Sequence, residues 1–209
     1  MVENRPFVTF LSHLVVILGV LVVAFPVWMT FVASTHDQTT MLQSPVPLWP
    51  GTHLIENYKT VLAEGYNSRG GTVPLYITLT NSMVMALGVA IGKIAISIIA
   101  AFAIVYFRFP LRLTFFWDIL LLMSRTSIAA LFVIQFIYGW NQYLWPLLIT
   151  TKANFYTVVM TVSRQANVVD AVPSWNLLMA MAMLAMLPPV LVVVFMQRLF
   201  VRGLVETEK

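Results

Sequence analysis

Polar side chains interrupt two strongly apolar stretches of this chain, where they could line a path for a solute. Tyr138 lies three residues after Gln135, and Asn141 and Gln142 lie three and four residues after Tyr138, which places them on one face of a helix. A shared polar face in lipid normally lines a cavity or contacts another helix. The pattern therefore predicts either a solute path or a subunit contact, and it does not distinguish the two.

Lys93 lies near the middle of a second apolar stretch. A charge at that depth costs about 2.5–3.5 kcal/mol on insertion scales. One interpretation is a cation that lines the path of an anionic phosphate ester. The other is structural: the lysine pairs with a neighbouring subunit or extends its ammonium group toward an interface. The sequence offers no acidic residue beside Lys93, and the structural interpretation is the simpler of the two.

Small residues and prolines in the apolar stretches predict how helices pack and bend. Gly88 and Gly92 form a small-xxx-small pair, which allows helices to approach closely. Pro188 and Pro189 lie inside the last apolar stretch, where they must remove backbone hydrogen bonds. We therefore expect helix packing at the two glycines and a kink or hinge at the two prolines.

The ends of the apolar stretches carry further polar and aromatic residues. Asn81 and Ser82 open the second stretch, as a helix cap or as part of an outer gate, and capping is the simpler interpretation. Trp140, Tyr143 and Trp145 are typical of the aromatic belt at a membrane interface.

Composition excludes most soluble chemistry. Hydrophobic residues make up 60% of the chain and charged residues 10%, with a mean hydropathy of +0.87, far from soluble averages. There is no cysteine, no phosphate-binding Gly-x-x-x-x-Gly-Lys-Ser/Thr motif, and no histidine spacing that suits a metal. The net charge of +4 is explained by basic residues beside membrane spans and not by nucleic acid. We expect a membrane protein that is not an enzyme and binds no metal.

The elements that must position these residues are membrane-spanning helices, in a single all-α domain over residues 1–209. About 20 apolar residues cross a hydrocarbon core of about 30 Å. Four predicted spans meet or approach that length, at about 11–33, 77–107, 128–149 and 175–196.

Basic residues orient these spans. Seven flank one side, against four spread over two longer loops on the other: Arg5, Arg108, Arg112, Arg125, Arg198, Arg202 and Lys209 against Lys59, Arg69, Lys152 and Arg164. The positive-inside bias predicts that both termini are cytoplasmic and that loops 34–76 and 150–174 are periplasmic. Segment 108–127 then lies on the cytoplasmic side, where its apolar part is too short to cross and contains Asp118.

Several separated motifs resemble carbohydrate-type ABC importer permeases of the bacterial inner membrane. They are Asn57-Tyr58, Asn81-Ser82, Ala100-Ala101-Phe102-Ala103, Arg108-Phe109-Pro110, Trp140-Asn141-Gln142-Tyr143-Leu144-Trp145-Pro146-Leu147 and Gln197-Arg198-Leu199-Phe200-Val201-Arg202-Gly203-Leu204. The start Glu3-Asn4-Arg5-Pro6 and the loop Pro50-Gly51-Thr52-His53-Leu54 resemble the branch that imports sn-glycerol-3-phosphate. The resemblance implies a multi-pass permease for that ester, for glycerophosphodiesters or for a related sugar.

The same resemblance implies an assembly and a mechanism. The permease would work with a second permease subunit, two ATP-binding subunits and a periplasmic solute-binding protein. It would bind no cofactor, since the ATP would be used by its partners. Transport would proceed by alternating access.

The chain departs from the family at one place. Such permeases have six spans and a cytoplasmic Glu-Ala-Ala…Gly loop that docks on the ATP-binding subunit. Here Phe115-Phe116-Trp117 resembles the start of the third span, whereas 124–131 resembles the approach to the fifth, and Glu-Ala-Ala is absent from the sequence. An internal deletion near 123/124 is therefore predicted. The alternative to a transporter is an internally deleted remnant that packs with partner subunits without transporting.

Overall fold

The computed structural model describes residues 6–65, 73–106, 124–167 and 172–205. The residues in these ranges are mainly helical and form no strand. The predicted all-α fold is confirmed. Most of the 108–127 segment, including Asp118 and the predicted deletion point, lies outside the described residues.

Three helices are long and apolar enough to cross a membrane. They are α1 (Pro6–Ser34), α4 (Leu75–Tyr106) and α8 (Trp175–Val205), whose apolar stretches cover Phe7–Ser34, Leu75–Ala103 and Trp175–Gln197. These correspond to the predicted first, second and fourth spans. The connecting segments contain short helices, namely α2 (Gln38–Met41), α3 (Leu54–Lys59) with a π-helical turn (Thr60–Glu64), α6 (Leu144–Ile149), a 3-10 turn (Ala153–Phe155) and α7 (Val158–Ala166).

The predicted third span is not one continuous helix. Helix α5 (Arg125–Trp140) has 16 residues, or about 24 Å at 1.5 Å per residue, and the chain then breaks before α6. Pro146 explains the break, because in a continuous helix its ring would clash with the carbonyl group of Gln142 and it could donate no hydrogen bond. In the structure Pro146 is buried in the first turn of α6, where its missing N–H is not needed.

The four long elements pack in the order α1, α8, α5 and α4. Phe136 and Trp140 of α5 form the centre of the core, with ring centroids 5.9 Å apart, beside Ala86 and Ala90 of α4 and Met181 of α8. Trp140 is only 2% exposed, so its assignment to an interfacial aromatic belt is wrong. Its place in the core results from the packing of α4 and α8 against α5.

Helices α4 and α5 approach closely at Gly139. A Cβ atom on Gly139 would lie 2.9 Å from the Cα atom of Ala86 and 3.1 Å from the Cβ atom of Val89. A Cβ atom on Gly88 or Gly92, in contrast, would meet no other atom of the described residues within 4 Å. Within the described residues, α4 and α5 therefore pack closely at Gly139 of α5, and helix packing at the Gly88–Gly92 pair stays a prediction.

Helix α8 continues through Pro188 and Pro189, as α1 does through Pro26. The two prolines of α8 therefore do not divide it into separate helices. Their role as a hinge stays a prediction.

Candidate functional site

The predicted path residues Lys93 and Tyr138 meet between α4 and α5. The Lys93 Nζ atom lies 4.0 Å from the centroid of the Tyr138 ring, well inside the range of a cation–π interaction. Such contacts are worth about 0.5–1 kcal/mol when exposed and about 2 kcal/mol when desolvated. The aromatic face thus offsets part of the cost of a charge within the span. No described carboxylate lies within ion-pair distance of Lys93.

A cleft of about 340 Å³ opens beside this pair. Its walls are the α4 turns from Lys93 to Ala101 and the α5 turns from Ser124 to Gln135. Small-molecule sites usually enclose about 300–1,000 Å³ and are mostly apolar with a few convergent polar groups. The cleft fits this description, with isoleucine, leucine and alanine side chains around one ammonium group, one amide and three hydroxyl groups.

Gln135 contributes an unpaired acceptor to this region. Its Oε1 atom is buried and accepts no hydrogen bond from any described residue. A buried polar atom without a partner costs about 1–3 kcal/mol, so its retention points to a partner outside the described chain. The structure thus brings together three of the predicted path residues, Lys93, Gln135 and Tyr138.

Asn141 and Gln142 are not part of this cluster. Helix α5 ends at Trp140, just before these two residues, and neither of them lines the cleft; their place on a solute path stays a prediction. Asn141 caps the helix, and its Nδ2 atom donates to the Ile137 carbonyl at 3.0 Å. Both residues lie at the loop end of α5, above the cleft.

Sequence reasoning missed the hydroxyl groups in the cleft. Ser97 lies one turn beyond Lys93 on α4, and Ser127 lies two turns before Gln135 on α5. The sequence did offer a signal: Ser97 lies four residues after Lys93, and Ser127 lies eight residues before Gln135. Serine is common in membrane helices for packing reasons, which made that signal weak.

A second polar cluster fastens the loops to the helix ends. Asn57 of α3 is 5% exposed, and its Nδ2 atom donates to the carbonyl oxygens of Ser34 (2.9 Å) and His36 (2.8 Å). Its Oδ1 atom accepts from Nδ2 of Asn176 on α8 at 3.2 Å. One amide therefore ties together the end of α1, the loop helix α3 and the start of α8.

Asn81 and Ser82 fasten the second loop in the same way. Asn81 Nδ2 donates to the carbonyl oxygens of Asn154 and Tyr156, at 2.8 and 3.1 Å. Ser82 Oγ accepts from the backbone N–H of Val158 at 2.8 Å, at the start of α7. Both lie within α4, so neither is the helix cap that the sequence favoured. They hold the 150–158 loop against α4.

Ser82→Ala is expected to loosen this loop, because the buried N–H of Val158 would lose its acceptor. We expect a loss of about 1–2 kcal/mol in the free energy of unfolding and faster hydrogen exchange across 153–160. Thr80→Ala is the matched control, since Thr80 is exposed and its hydroxyl donates only to Tyr76 of its own helix. Equal exchange in the two variants would contradict this role for Ser82.

Asp37 begins the first loop, outside the membrane helix. Hydrogen bonds from the Thr39 and Thr40 hydroxyl groups hold the pKa of its carboxyl group at about 2, below its usual 3.8. Because the folded-state pKa is lowered, these bonds stabilise the turn above about pH 3.8 and are lost as the pH falls through 2.

Replacing both threonines by alanine should therefore return the Asp37 pKa toward 3.8. Carboxyl carbon NMR of Asp37 during an acid titration measures the change. An unchanged midpoint would mean that the two hydroxyl groups do not cause the shift.

Comparison with known proteins shows the family. No protein-family model matches the chain. Proteins of Brucella melitensis and Agrobacterium fabrum, each 39% identical, and one of Salmonella choleraesuis, 36% identical, all carry the name sn-glycerol-3-phosphate transport system permease protein UgpE. Each comparison extends over 283 positions and covers 100% of this chain and 100% of the relative.

The lengths of these alignments bear on the missing segment. Their 283 positions exceed the 209 residues of this chain by 74, so at least that many alignment positions contain no residue of the chain.

The relatives are transport permeases, a class of protein that does no enzymatic chemistry of its own, and a permease of such a system works with partner subunits. With its apolar spanning helices and full-length identity of 36–39% to these permeases, the chain belongs to the carbohydrate-type ABC importer permease family.

Proposed function

We propose that this chain is a permease subunit of an ATP-driven importer that moves sn-glycerol-3-phosphate or glycerophosphodiesters across the bacterial inner membrane. The observation that carries the proposal is the full-length likeness to relatives that all bear the name of that transport system. The cation in the α4–α5 cleft supports it, because the solute is an anion and most sugars are not.

The chain would supply the membrane path and its partners the energy. A second permease subunit would complete the path, two ATP-binding subunits would hydrolyse ATP, and a periplasmic protein would deliver the solute. The absence of a phosphate-binding Gly-x-x-x-x-Gly-Lys-Ser/Thr motif supports this division, since the chain lacks that machinery. The uneven basic residues support cytoplasmic termini.

Within this mechanism, Lys93, Gln135 and Tyr138 would line the path at mid-depth. Asn141 and Gln142 would lie nearer its outer end. Closure of the ATP-binding subunits would move the permease pair from inward- to outward-facing, and Pro188–Pro189 would be the flexible point of α8, because neither proline can donate a backbone hydrogen bond.

Uptake in cells tests the proposal. A strain without its own importer for the ester should accumulate labelled sn-glycerol-3-phosphate when it expresses this chain with its partner subunits. Omission of the ATP-binding subunits should abolish accumulation. Accumulation without them would instead identify a channel or secondary carrier. Competition by unlabelled maltose or another sugar, but not by glycerophosphodiesters, would assign the system to a sugar.

A specific observation favours a second candidate, an internally deleted remnant that packs with partner subunits without transporting. The sequence lacks Glu-Ala-Ala, and at least 74 alignment positions have no counterpart in it. The intact mass of the protein extracted from its native membrane separates the two. A mass well above 23.6 kDa would support the importer with its coupling loop, whereas a mass of 23.6 kDa would support the remnant.

A further inference from the structure

The cleft between α4 and α5 combines one cation with hydroxyl and amide groups. Lys93 supplies the ammonium group, Ser97 and Ser127 supply hydroxyl groups, and Gln135 supplies a buried amide oxygen that accepts no hydrogen bond from the described residues. An ammonium group and hydroxyl donors suit the oxygens of a phosphate group. The Gln135 Oε1 atom can only accept, so it suits a hydroxyl group that donates.

We propose that this cleft is a binding site for a small phosphate monoester that also carries free hydroxyl groups. Lys93 and the serines would bind the phosphate, and Gln135 would accept a hydrogen bond from an alcohol of the same molecule. Tyr138 is a positioning residue, because the centroid of its ring lies 4.0 Å from the Lys93 Nζ atom and the ring holds the ammonium group in place. The inference deepens the proposed function and rests on it for the identity of the ester.

Depth in the helix favours a free ester over a lipid headgroup. At 1.5 Å per residue, Lys93 lies about 27 Å from Leu75 and about 20 Å from Tyr106, the two ends of α4. A lipid phosphate lies near the helix ends, beyond the reach of a lysine side chain from that position. A soluble ester that enters the cleft could reach it.

Chemical protection of Lys93 tests the site directly. The full chain, in nanodiscs of neutral phospholipid, is treated with an amine-reactive acetylating reagent, and each lysine is followed by mass spectrometry. We expect millimolar sn-glycerol-3-phosphate to slow acetylation of Lys93 at least about fivefold, and glycerol to leave it unchanged. Lys59 and Lys152, which lie in the two loops, are internal controls whose rates should not change.

Variants separate the binding roles. Gln135→Leu should raise the ester concentration that gives half-maximal protection of Lys93 by about tenfold or more. This is the usual effect of one lost hydrogen bond in a closed site. Tyr138→Phe keeps the ring and should retain protection, whereas Tyr138→Leu should weaken it. Ser163→Ala, in α7 and away from the cleft, is the control for a neutral polar substitution.

In cells with the complete importer, Lys93→Met should lower uptake of the ester about tenfold or more, and Lys93→Arg should restore most of it. Equal uptake by the wild type and Lys93→Met, at equal expression, would overturn the site and leave the transport proposal standing. Protection of Lys93 without any uptake would support the site and remove the transport proposal. Protection by anionic phospholipid alone, with none added by the ester, would assign the cleft to a headgroup and overturn the inference.

Discussion

Asn57→Leu is expected to lower the free energy of unfolding by about 3 kcal/mol. The substitution removes two donated hydrogen bonds and one accepted bond. It leaves the carbonyl groups of Ser34 and His36 and the amide of Asn176 with fewer partners. Each of these groups that no water molecule reaches costs about 1–3 kcal/mol of stability. Unfolding of the purified protein in a mixed micelle, followed by circular dichroism, measures the change.

Two further variants show whether hydrogen bonding or shape is responsible. Asn57→Asp keeps the shape but sets carboxylate oxygens against the Ser34 and His36 carbonyl oxygens, so we expect a loss at least as large. Asn167→Leu is the matched control, because Asn167 is exposed and donates only to Ser163 one turn earlier. A near-wild-type Asn57→Asp protein would show that packing, and not the hydrogen-bond network, holds the loop.

Gly139→Leu is expected to separate α4 from α5 and to destabilise the protein by about 1–3 kcal/mol or more. Even a Cβ atom at this position would lie 2.9 Å from backbone of Ala86, and backbone cannot rotate away as a side chain can. The Lys93–Tyr138 contact depends on the same helix pair, so protection of Lys93 by the ester should also weaken.

Gly88→Leu provides the comparison, since an added Cβ there meets nothing within 4 Å in the described chain. In the isolated protein it should unfold within about 0.5 kcal/mol of the wild type. A larger loss for Gly88→Leu than for Gly139→Leu would contradict the helix arrangement. A loss that emerges only in the complete importer would place a partner helix on that face of α4.

The long helices could be predicted from the sequence, because length and apolar composition largely decide whether a segment spans a membrane. Spans one, two and four follow that rule. The third failed at its end, because the length of the apolar stretch takes no account of the hydrogen bond that Pro146 cannot donate. The break before α6 places Asn141 and Gln142 after the end of α5.

Side-chain partners could be predicted only in part. Their spacing of three residues places Gln135 and Tyr138 on one face of α5, but no local pattern shows that Lys93 lies against Tyr138, 45 residues later in the sequence. The motif residues Asn57, Asn81 and Ser82 were visible in the sequence. Their role in fastening loops depends on carbonyl and N–H groups brought close by the fold.

The most direct test of the account is solute-dependent ATP hydrolysis by the assembled importer. Purified partner subunits and this chain would be reconstituted in proteoliposomes, with the solute-binding protein and sn-glycerol-3-phosphate outside. We expect the loaded binding protein to stimulate ATP hydrolysis and labelled ester to accumulate inside, with both effects lost when this chain is omitted. Hydrolysis that is the same with and without the chain, although it is inserted and bound to its partners, would contradict the account and support the non-transporting remnant.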